Sequence, residues 1–464
     1  MFNISQNTLV QSEDPALLQA QRAAHVEDWA RVIQWLQRSL PHLIQQASAV
    51  HLPDAPQAAS FVQEWLRLLL EVLVSGEFQD RWEIAKLCAK LASEDAFNPA
   101  EIIAALMDWL QDSEAEFELR WFAARILGEF RTPAVLESLI RLIQTAPQPE
   151  LVETTAIALS GFGTMAIAPL TALLEQEQTR LLAVKTLAQI RNTATLVPLL
   201  QVVQDPDSTI RAIAIEALGS FHDPRVPPVL IEGLHDRSSQ VRRAAVVGLS
   251  FRADLLPTYD LVSLLQPLLW DIDDSVCVQT AIALGRLGND AAATALSEVL
   301  CAPFTPNDLR LEAIRALGWI QSPLALQGLC QFFSLSLDQN PVSPRVYQEA
   351  LVALGRLESP ALQQTALKFL VNLLQSHHPA IEPTANKQAI ALTLGQLGHR
   401  AAIDPLIELL ADANPGVRFH AIAALQQIDA HLAHQKLAAI AQASNYPATL
   451  KAGVAIALQE WRQP

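Results

Sequence analysis

The chain has 464 residues, of which 51% are apolar, 6% aromatic and 17% charged. The apolar content excludes a disordered scaffold, and its main contributors, Ala and Leu, favour helices. The formal net charge of −16 opposes binding to phosphate backbones and to a bare anionic membrane, so we expect neither nucleic acid nor a membrane surface as the partner.

The first predicted element is an N-terminal helical cap over residues 1–76. The segments Ala24 to Leu40 and Ala59 to Val74 repeat apolar residues at helical spacing. A stack of helical repeats needs a polar-faced cap at each end. The sequence shows no basic segment followed by an apolar one at its start and no run of about 18 apolar residues. We therefore expect neither a secretory signal nor membrane insertion.

The first quarter of the chain is acidic and rich in tryptophan. Residues 1–120 hold 18 Asp and Glu against 8 Lys and Arg. Six of the nine Trp lie in or beside this quarter, at positions 29, 35, 65, 82, 109 and 121. An aromatic surface with acid around it suits a basic partner, because Trp supplies much contact area at little entropic cost. The alternative is that these rings fill a less regular cap. The partner-binding residues predicted here are Trp121, Phe122 and Arg125.

Residues 77–464 are predicted to form a solenoid of about twelve helix pairs. Each unit is an apolar helix ending in Ala-Leu-Gly or a near variant, a short break, and a second helix ending in a Leu pair. The clearest copies end their first helix at residues 217–219, 283–285, 316–318 and 353–355. The mean spacing is about 33 residues, the length of a helix pair that must stack on its neighbours to bury its apolar faces. The predicted fold class is therefore all-α, an α-solenoid with an N-terminal helical cap.

A row of Arg residues follows the turns between repeats. The segments 205–211 and 414–418 each place a cap residue before a helix and an Arg one turn inside it, and Arg242 and Arg310 hold the same position. The row predicts either an Arg-lined groove or a ladder of Asp–Arg pairs that joins adjacent repeats. Cys277 holds this position in another copy, which favours the ladder.

Three successive connections between repeats are long and rich in proline: Cys301 to Asp308, Ser334 to Val346 and Gln375 to Lys387. Insertions on one face of a repeat protein often mark a binding face, although loops also grow at little energetic cost. The partner-binding residues predicted on these connections are Arg345, Tyr347, His377 and His378.

The sequence offers no pattern for catalysis or for a resident metal. His431 and His434 fall in an Ala/Leu helix with no Cys nearby, whereas zinc needs three or four convergent ligands. Glycine-rich phosphate loops and the Gly-x-Ser-x-Gly elbow are missing from the sequence. The four Cys, at positions 88, 277, 301 and 330, form no Cys-x-x-Cys pair, which favours reduced thiols in a cytoplasmic protein. We predict no catalytic residue, no metal site and no cofactor.

The repeat resembles HEAT repeats, and specifically the HEAT-like repeats named after phycobilisome lyases, whose units read Asp-x-x-x-Val-Arg-x-x-Ala-x-x-Ala-Leu-Gly. The copies at 207–219, 236–250, 308–318 and 412–425 carry the resemblance. It implies a cyanobacterial protein-binding scaffold or adaptor in the assembly or turnover of phycobilisomes. The implied partner is a phycobiliprotein or another subunit of a photosynthetic complex.

An alternative function is that of a phycobilin lyase, with bilin as the bound group. The stretch Arg120-Trp121-Phe122-Ala123-Ala124-Arg125-Ile126-Leu127-Gly128 resembles the first repeat of E-type phycobilin lyase subunits, which reads Arg-Tyr-Tyr-Ala-Ala-Trp-Trp-Leu-Gly. The first aromatic pair is kept as Trp121 and Phe122, and the second is replaced by Arg125 and Ile126. Since the pattern is only half retained, the scaffold is the leading prediction.

Overall fold

The computed structural model describes residues 15–49, 55–94, 97–146, 148–334 and 342–461. These residues form 25 α-helices joined by turns and short 3₁₀ segments, and they contain no strand. The prediction of an all-α fold is confirmed for this part of the chain. Residues 335–341 of the predicted long connection from Ser334 to Val346 lie outside the described residues.

The first of two compact units covers residues 1–217. Its helices are α1 (Pro15–His25), α2 (Trp29–Ala49), α3 (Ala55–Ser75), α4 (Phe78–Leu91), α5 (Ala100–Gln111), α6 (Phe117–Leu127), α7 (Pro133–Thr145), α8 (Pro149–Ser160), α9 (Thr164–Leu173), α10 (Glu177–Gln189) and α11 (Leu196–Gln201). The helix α12 (Ser208–Leu218) ends at the boundary of this unit.

The second compact unit covers residues 218–464. Its helices are α13 (Val226–Gly233), α14 (Ser239–Ser250), α15 (Leu261–Leu265), α16 (Asp274–Leu287), α17 (Asp290–Cys301), α18 (Asn307–Ile320), α19 (Pro323–Phe332), α20 (Pro344–Gly355), α21 (Pro360–Gln375), α22 (Thr384–Leu397), α23 (Ile403–Glu408), α24 (Pro415–Gln442) and α25 (Ala448–Glu460). The backbone of α24 leaves the helical conformation at Asp429, where φ is −164° and ψ is 90°.

Each unit stacks its helices in two layers. In the first unit α4, α6, α8 and α10 pack one on the next, and α5, α7 and α9 form the second layer. In the second unit α14, α16, α18, α20 and α22 form one layer, and α17, α19 and α21 form the other. Side chains such as Leu139, Leu170, Leu284 and Leu329 are fully buried. This stacking of helix pairs confirms the α-solenoid fold class.

Local sequence explains where many of these helices begin. The side chains of Thr132, Asp273, Asn289 and Ser322 accept hydrogen bonds from backbone N–H groups in the first turns of α7, α16, α17 and α19. Such caps satisfy donors that have no partner within the helix. The residue at which each of these helices begins is therefore set by a hydrogen bond within its own first turn.

The small residue that ends the Ala-Leu-Gly mark lies at the closest contact between neighbouring helices. A Cβ atom placed on Gly128 would lie 2.7 Å from the Cβ of Ala158, and one on Gly285 would lie 2.7 Å from the Cβ of Ala316. Real Cβ atoms do not approach each other this closely, so a larger side chain would push the helices apart. The repeated Gly is explained by packing.

In both compact units the predicted Arg row makes hydrogen bonds that form a ladder along successive repeats. Arg211, Arg242 and Arg418 each donate from Nη1 to the backbone carbonyl six residues earlier, over 2.8 Å. Cys277 makes the corresponding contact from Sγ to the carbonyl of Asp271, over 3.2 Å. These bonds hold the turn before each helix, and Cys277 makes the same contact with a thiol in place of a guanidinium.

Several residues of the ladder also pair with a carboxylate in the turn before the next repeat. Arg180 contacts Asp205 over 3.0 Å, and Arg242 binds both carboxylate oxygens of Asp271 over 2.6 and 2.7 Å. Lys387 contacts Asp412 over 3.2 Å. The prediction of an Asp–Arg ladder between repeats is confirmed at Arg242 and extends to Arg180 and Lys387. Arg310 instead donates to the carbonyl of Ala302 over 2.9 Å.

Candidate functional site

Four aromatic rings of α4 and α6 form one continuous cluster in the first unit. The ring of Phe78 lies 6.1 Å from that of Trp82 and 5.3 Å from that of Phe122, measured between centroids. Trp121 lies 5.0 Å from Phe122 and 6.3 Å from Phe78. We call these four residues the α4–α6 aromatic cluster. Their edge-to-face and offset contacts hold the rings in fixed positions.

The cluster has one buried member and three that reach the surface. Phe122 is completely buried, whereas Phe78 is 50% exposed and the rings of Trp82 and Trp121 are half-buried. The prediction that Phe122 contacts a partner directly is therefore corrected. Its ring faces the core of the repeat and packs against the rings of Phe78, Trp82 and Trp121.

Arg125 lies on the surface beside the cluster. Its guanidinium carbon is 4.4 Å from the centroid of the Trp82 ring, which is a cation–π contact. The structure thus brings Trp121 and Arg125 into one patch, and their predicted role in partner binding stays a prediction. It also adds Phe78, which sequence reasoning missed. The available signal was the spacing of four residues between Phe78 and Trp82, which places both on one face of a helix.

Carboxylates adjoin the aromatic cluster. The buried guanidinium of Arg81 contacts Glu116 and Glu118, each over 2.8 Å. The two Glu side chains remain 57% and 42% exposed. One cation thus faces two carboxylates, and the exposed Asp112 and Glu114 precede them in the chain. The four carboxylates of residues 112–118 outnumber the two cations Arg81 and Arg125, so this part of the first unit carries an excess of negative charge.

The second predicted set, in the second unit, is divided between the surface and the core. Arg345 is exposed in the first turn of α20. Tyr347 is buried, and its ring stacks on that of Phe332 at 5.0 Å. Burial also raises the pKa of the Tyr347 phenol. Tyr347 takes the position of the ladder Arg in its repeat, which faces neighbouring helices, so its predicted role as a surface residue is corrected.

His377 and His378 lie in the turn after α21. His377 is exposed and adopts a left-handed φ of 48°. The Nδ1 atom of His378 accepts a hydrogen bond from the backbone N–H of Ala380 over 3.1 Å. His378 also lines a small cavity of about 180 Å³ together with Phe333, Phe369, Asn372, Leu373, Ser334 and Ser376. Tyr347 and His378 both approach the ring of Phe333, at 5.6 and 6.4 Å.

The described residues show no arrangement typical of metal or nucleophilic chemistry. No three His, Cys, Asp or Glu side chains among them converge as metal ligands. Burial raises the pKa of the Cys88 and Cys330 thiols to about 12 and that of Cys277 to about 11. Thiols with such pKa values stay protonated at neutral pH and are poor nucleophiles. In the part of the chain that is described, we find no helix with the length and apolarity needed to span a membrane.

The model of the family described as HEAT repeats matches residues 66–160, 167–250 and 382–459, together more than half of the chain. The chain belongs to the HEAT-repeat family. The match concerns HEAT repeats in general, so membership of the phycobilisome-lyase subgroup stays a prediction. No curated protein has a significant match to this HEAT-repeat chain.

Two solved HEAT-like structures show the same fold at low sequence identity. The chain is 13% identical to Kap95p, in a structure where Kap95p binding induces the switch loops of RanGDP to adopt the GTP-bound conformation, with a TM-score of 0.55. It is 14% identical to a mutant of Kap121p, with a TM-score of 0.53. The matches cover 87% and 92% of this chain but only 61% and 52% of those chains. These similarities show the fold alone.

Proposed function

We propose that this HEAT-repeat protein is a non-catalytic scaffold that binds a basic segment of a protein partner on the α4–α6 aromatic cluster. The observation that carries the proposal is the half-exposed ring of Phe78 and the half-buried rings of Trp82 and Trp121, together with the partly exposed carboxylates of Glu116 and Glu118. HEAT-repeat solenoids offer long surfaces of stacked helices, on which such patches are held rigidly.

The chemistry of the patch favours a partner with Lys or Arg among apolar residues. The exposed ring area supplies apolar contact. Arg125 already occupies the Trp82 ring, so an approaching cation would use the Trp121 ring, a contact worth about 0.5–1 kcal/mol or more. The two partly exposed Glu side chains attract the same cation and accelerate its association. A negatively charged partner would meet repulsion at this patch.

The resemblance to phycobilisome-lyase repeats supports a more specific partner as part of the proposal. On that basis the partner is a phycobiliprotein or another subunit of a photosynthetic complex, and the binding takes place in the cytoplasm. Recovery of such subunits in the experiment below would support this context. Recovery of unrelated proteins would contradict the context but not the scaffold.

The test is affinity capture with a matched set of variants, followed by titration of the captured partner. We expect the double variant Trp82→Ala/Trp121→Ala to bind the partner at least about 30-fold more weakly, because one central Trp contributes about 2 kcal/mol at many interfaces. Phe78→Ser, which changes a half-exposed ring, should weaken binding in the same direction. The variant Glu116→Gln/Glu118→Gln should also bind more weakly than wild type, and its deficit should be larger at low salt than at high salt.

The control is Trp270→Ala, because Trp270 is 56% exposed but lies in the second unit. Circular dichroism checks that each variant remains helical. Equal partner binding by wild type, Trp82→Ala/Trp121→Ala and Trp270→Ala would overturn the assignment of the site to the α4–α6 aromatic cluster.

A further inference from the structure

Aromatic and basic residues alternate along one edge of the second unit. Phe251, Arg286, Trp319 and Arg356 each directly follow the small residue that marks the end of a first-layer helix, in four consecutive repeats. The helices concerned are α14, α16, α18 and α20. We call these four residues the aromatic–arginine row.

Contacts between neighbouring repeats join the row into one surface. The guanidinium carbon of Arg286 lies 4.2 Å from the centroid of the Phe251 ring, and its Nη1 donates to Ser250 Oγ over 3.1 Å. The Trp319 ring covers Gly285, where an added Cβ would lie 3.3 Å from Cε3. Gln321 joins this repeat to the next one, because its Nε2 donates to the carbonyls of Gly318 over 2.8 Å and of Arg356 over 3.3 Å.

The members of the row are exposed to solvent. Phe251 is 65% and Trp319 is 56% exposed, and both Arg side chains are exposed as well. Rings of this size usually lose most of their surface to the core, so two of them along one edge form an apolar patch that the fold leaves uncovered.

The two cations of the row lack carboxylate partners. Neither Arg286 nor Arg356 makes an ion pair with any carboxylate in the described segments, whereas the neighbouring Arg252 is paired with Asp254 over 2.9 Å. Interaction with the negative end of a helix explains why Arg is favoured at a C-terminus. The helix dipole does not explain why exposed Phe and Trp occupy the alternate positions. It therefore accounts for the two Arg of the row but not for Phe251 and Trp319.

We infer that the aromatic–arginine row binds an extended acidic segment of a protein partner. The carboxylates of that segment would pair with Arg286 and Arg356, and its apolar side chains would cover Phe251 and Trp319. Arg forms two parallel hydrogen bonds to a carboxylate, which makes it a suitable receptor. The site differs in unit and in charge preference from the α4–α6 aromatic cluster, so either proposal can fail without the other.

The repeat spacing sets the length and pattern of the segment. Packed helices lie about 8–10 Å apart, so four of them span about 27 Å. A chain in the polyproline II conformation rises about 3.1 Å per residue and turns the same face to a surface every third residue, which gives a segment of about nine or ten residues with one contact every third residue. The two acidic residues should therefore be about six positions apart, with an apolar residue midway between them.

An acidic peptide fits the row better than nucleic acid does. A phosphate backbone carries a charge at every nucleotide and needs several clustered cations for binding. The row supplies two Arg in four repeats, which matches two carboxylates rather than a continuous line of phosphates.

The experiment selects ten-residue peptides from a displayed library by their binding to the full-length protein. The selected peptides are then labelled with fluorescein, and their dissociation constants are measured by fluorescence anisotropy. We expect enrichment of peptides with two Asp or Glu about six positions apart. Arg286→Ala/Arg356→Ala should bind them about tenfold more weakly, and the loss should shrink as salt is added. Phe251→Ala/Trp319→Ala should also bind them more weakly.

The matched control is Arg237→Ala/Arg243→Ala, which removes two exposed Arg, one just before α14 and one in its first half, away from the row at its C-terminal end. Binding by this control should stay within about twofold of wild type. Enrichment of basic peptides, equal loss in the two double variants, or tighter binding of a single-stranded DNA ten-mer than of the acidic peptide would each overturn the inference. Circular dichroism distinguishes a lost site from a lost fold.

Discussion

Replacement of Arg242 by alanine is expected to lower the free energy of unfolding of the second unit by about 3 kcal/mol. The side chains of Arg242 and Asp271 are only 12% and 8% exposed, and they share two short hydrogen bonds. Removing the guanidinium leaves the Asp271 carboxylate buried without its partner, which costs more than the pair contributes. The Asp236 carbonyl also loses a donor. Urea denaturation followed by circular dichroism measures the loss.

The double variant Arg242→Ala/Asp271→Ala should recover part of this stability, because it no longer buries a lone charge. Arg237→Ala, at an exposed position in the same turn, serves as the control and should change little. A single Arg242→Ala variant as stable as the control would show that the ladder does not hold the repeats together.

Acid titration gives a second readout of the same pair. Burial acts to raise the pKa of Asp271, but its hydrogen bonds with Arg242 and the backbone of Asp273 outweigh that effect and the pKa is lowered overall. A carboxyl group with a lowered folded-state pKa stabilises the protein above its unfolded pKa of about 4 and loses that contribution as the pH falls further. Wild type should therefore lose more stability than Arg242→Ala/Asp271→Ala between about pH 4 and pH 2.

Gly285→Ala is expected to destabilise the second unit by about 2 kcal/mol. The added methyl group would lie 2.7 Å from the Cβ and 3.0 Å from the Cα of Ala316. Neither atom belongs to a flexible side chain, so α16 and α18 must separate to admit it. The midpoint of urea denaturation should fall accordingly.

Gly318→Ala is the matched control, since Gly318 holds the equivalent place in the next repeat. A Cβ there would lie 3.4 Å from the Cβ of Ala353, which is ordinary van der Waals contact. Alanine at this helical position should leave stability unchanged or raise it by up to about 1 kcal/mol. Equal destabilisation by both substitutions would contradict close helix packing as the reason for Gly285.

Sequence reasoning performed best where the signal is local and periodic. The Ala-Leu-Gly mark and the Asp–Arg spacing recur in each repeat of about 33 residues. The residue pattern alone therefore predicts stacked helix pairs and a ladder of Asp–Arg pairs between them. Even the substitution of Cys277 for Arg follows this logic, because its Sγ reaches the same carbonyl. The family match to HEAT repeats supports the same conclusion.

The candidate site was predicted only in part. Trp121 and Arg125 are half-buried at the edge of the cluster, but the sequence could not show that Phe122 points into the core. Phe122 and Tyr347 are buried by helices that lie in other parts of the sequence. Whether such a residue is buried depends on helices that lie far from it in the sequence, so a short stretch of sequence around the residue cannot predict its burial.

The sequence by itself determined the helical class, the repeat length and the residues that hold successive repeats together, because these depend on contacts within one unit or between one unit and the next. Only the tertiary structure decided which rings stay exposed. The α4–α6 aromatic cluster and the aromatic–arginine row join helices whose contacting residues are about 33 to 44 positions apart in the sequence, and the sequence around each residue alone does not show these contacts. The stacking of repeats places these residues side by side, and together they form the surface that we propose binds a partner.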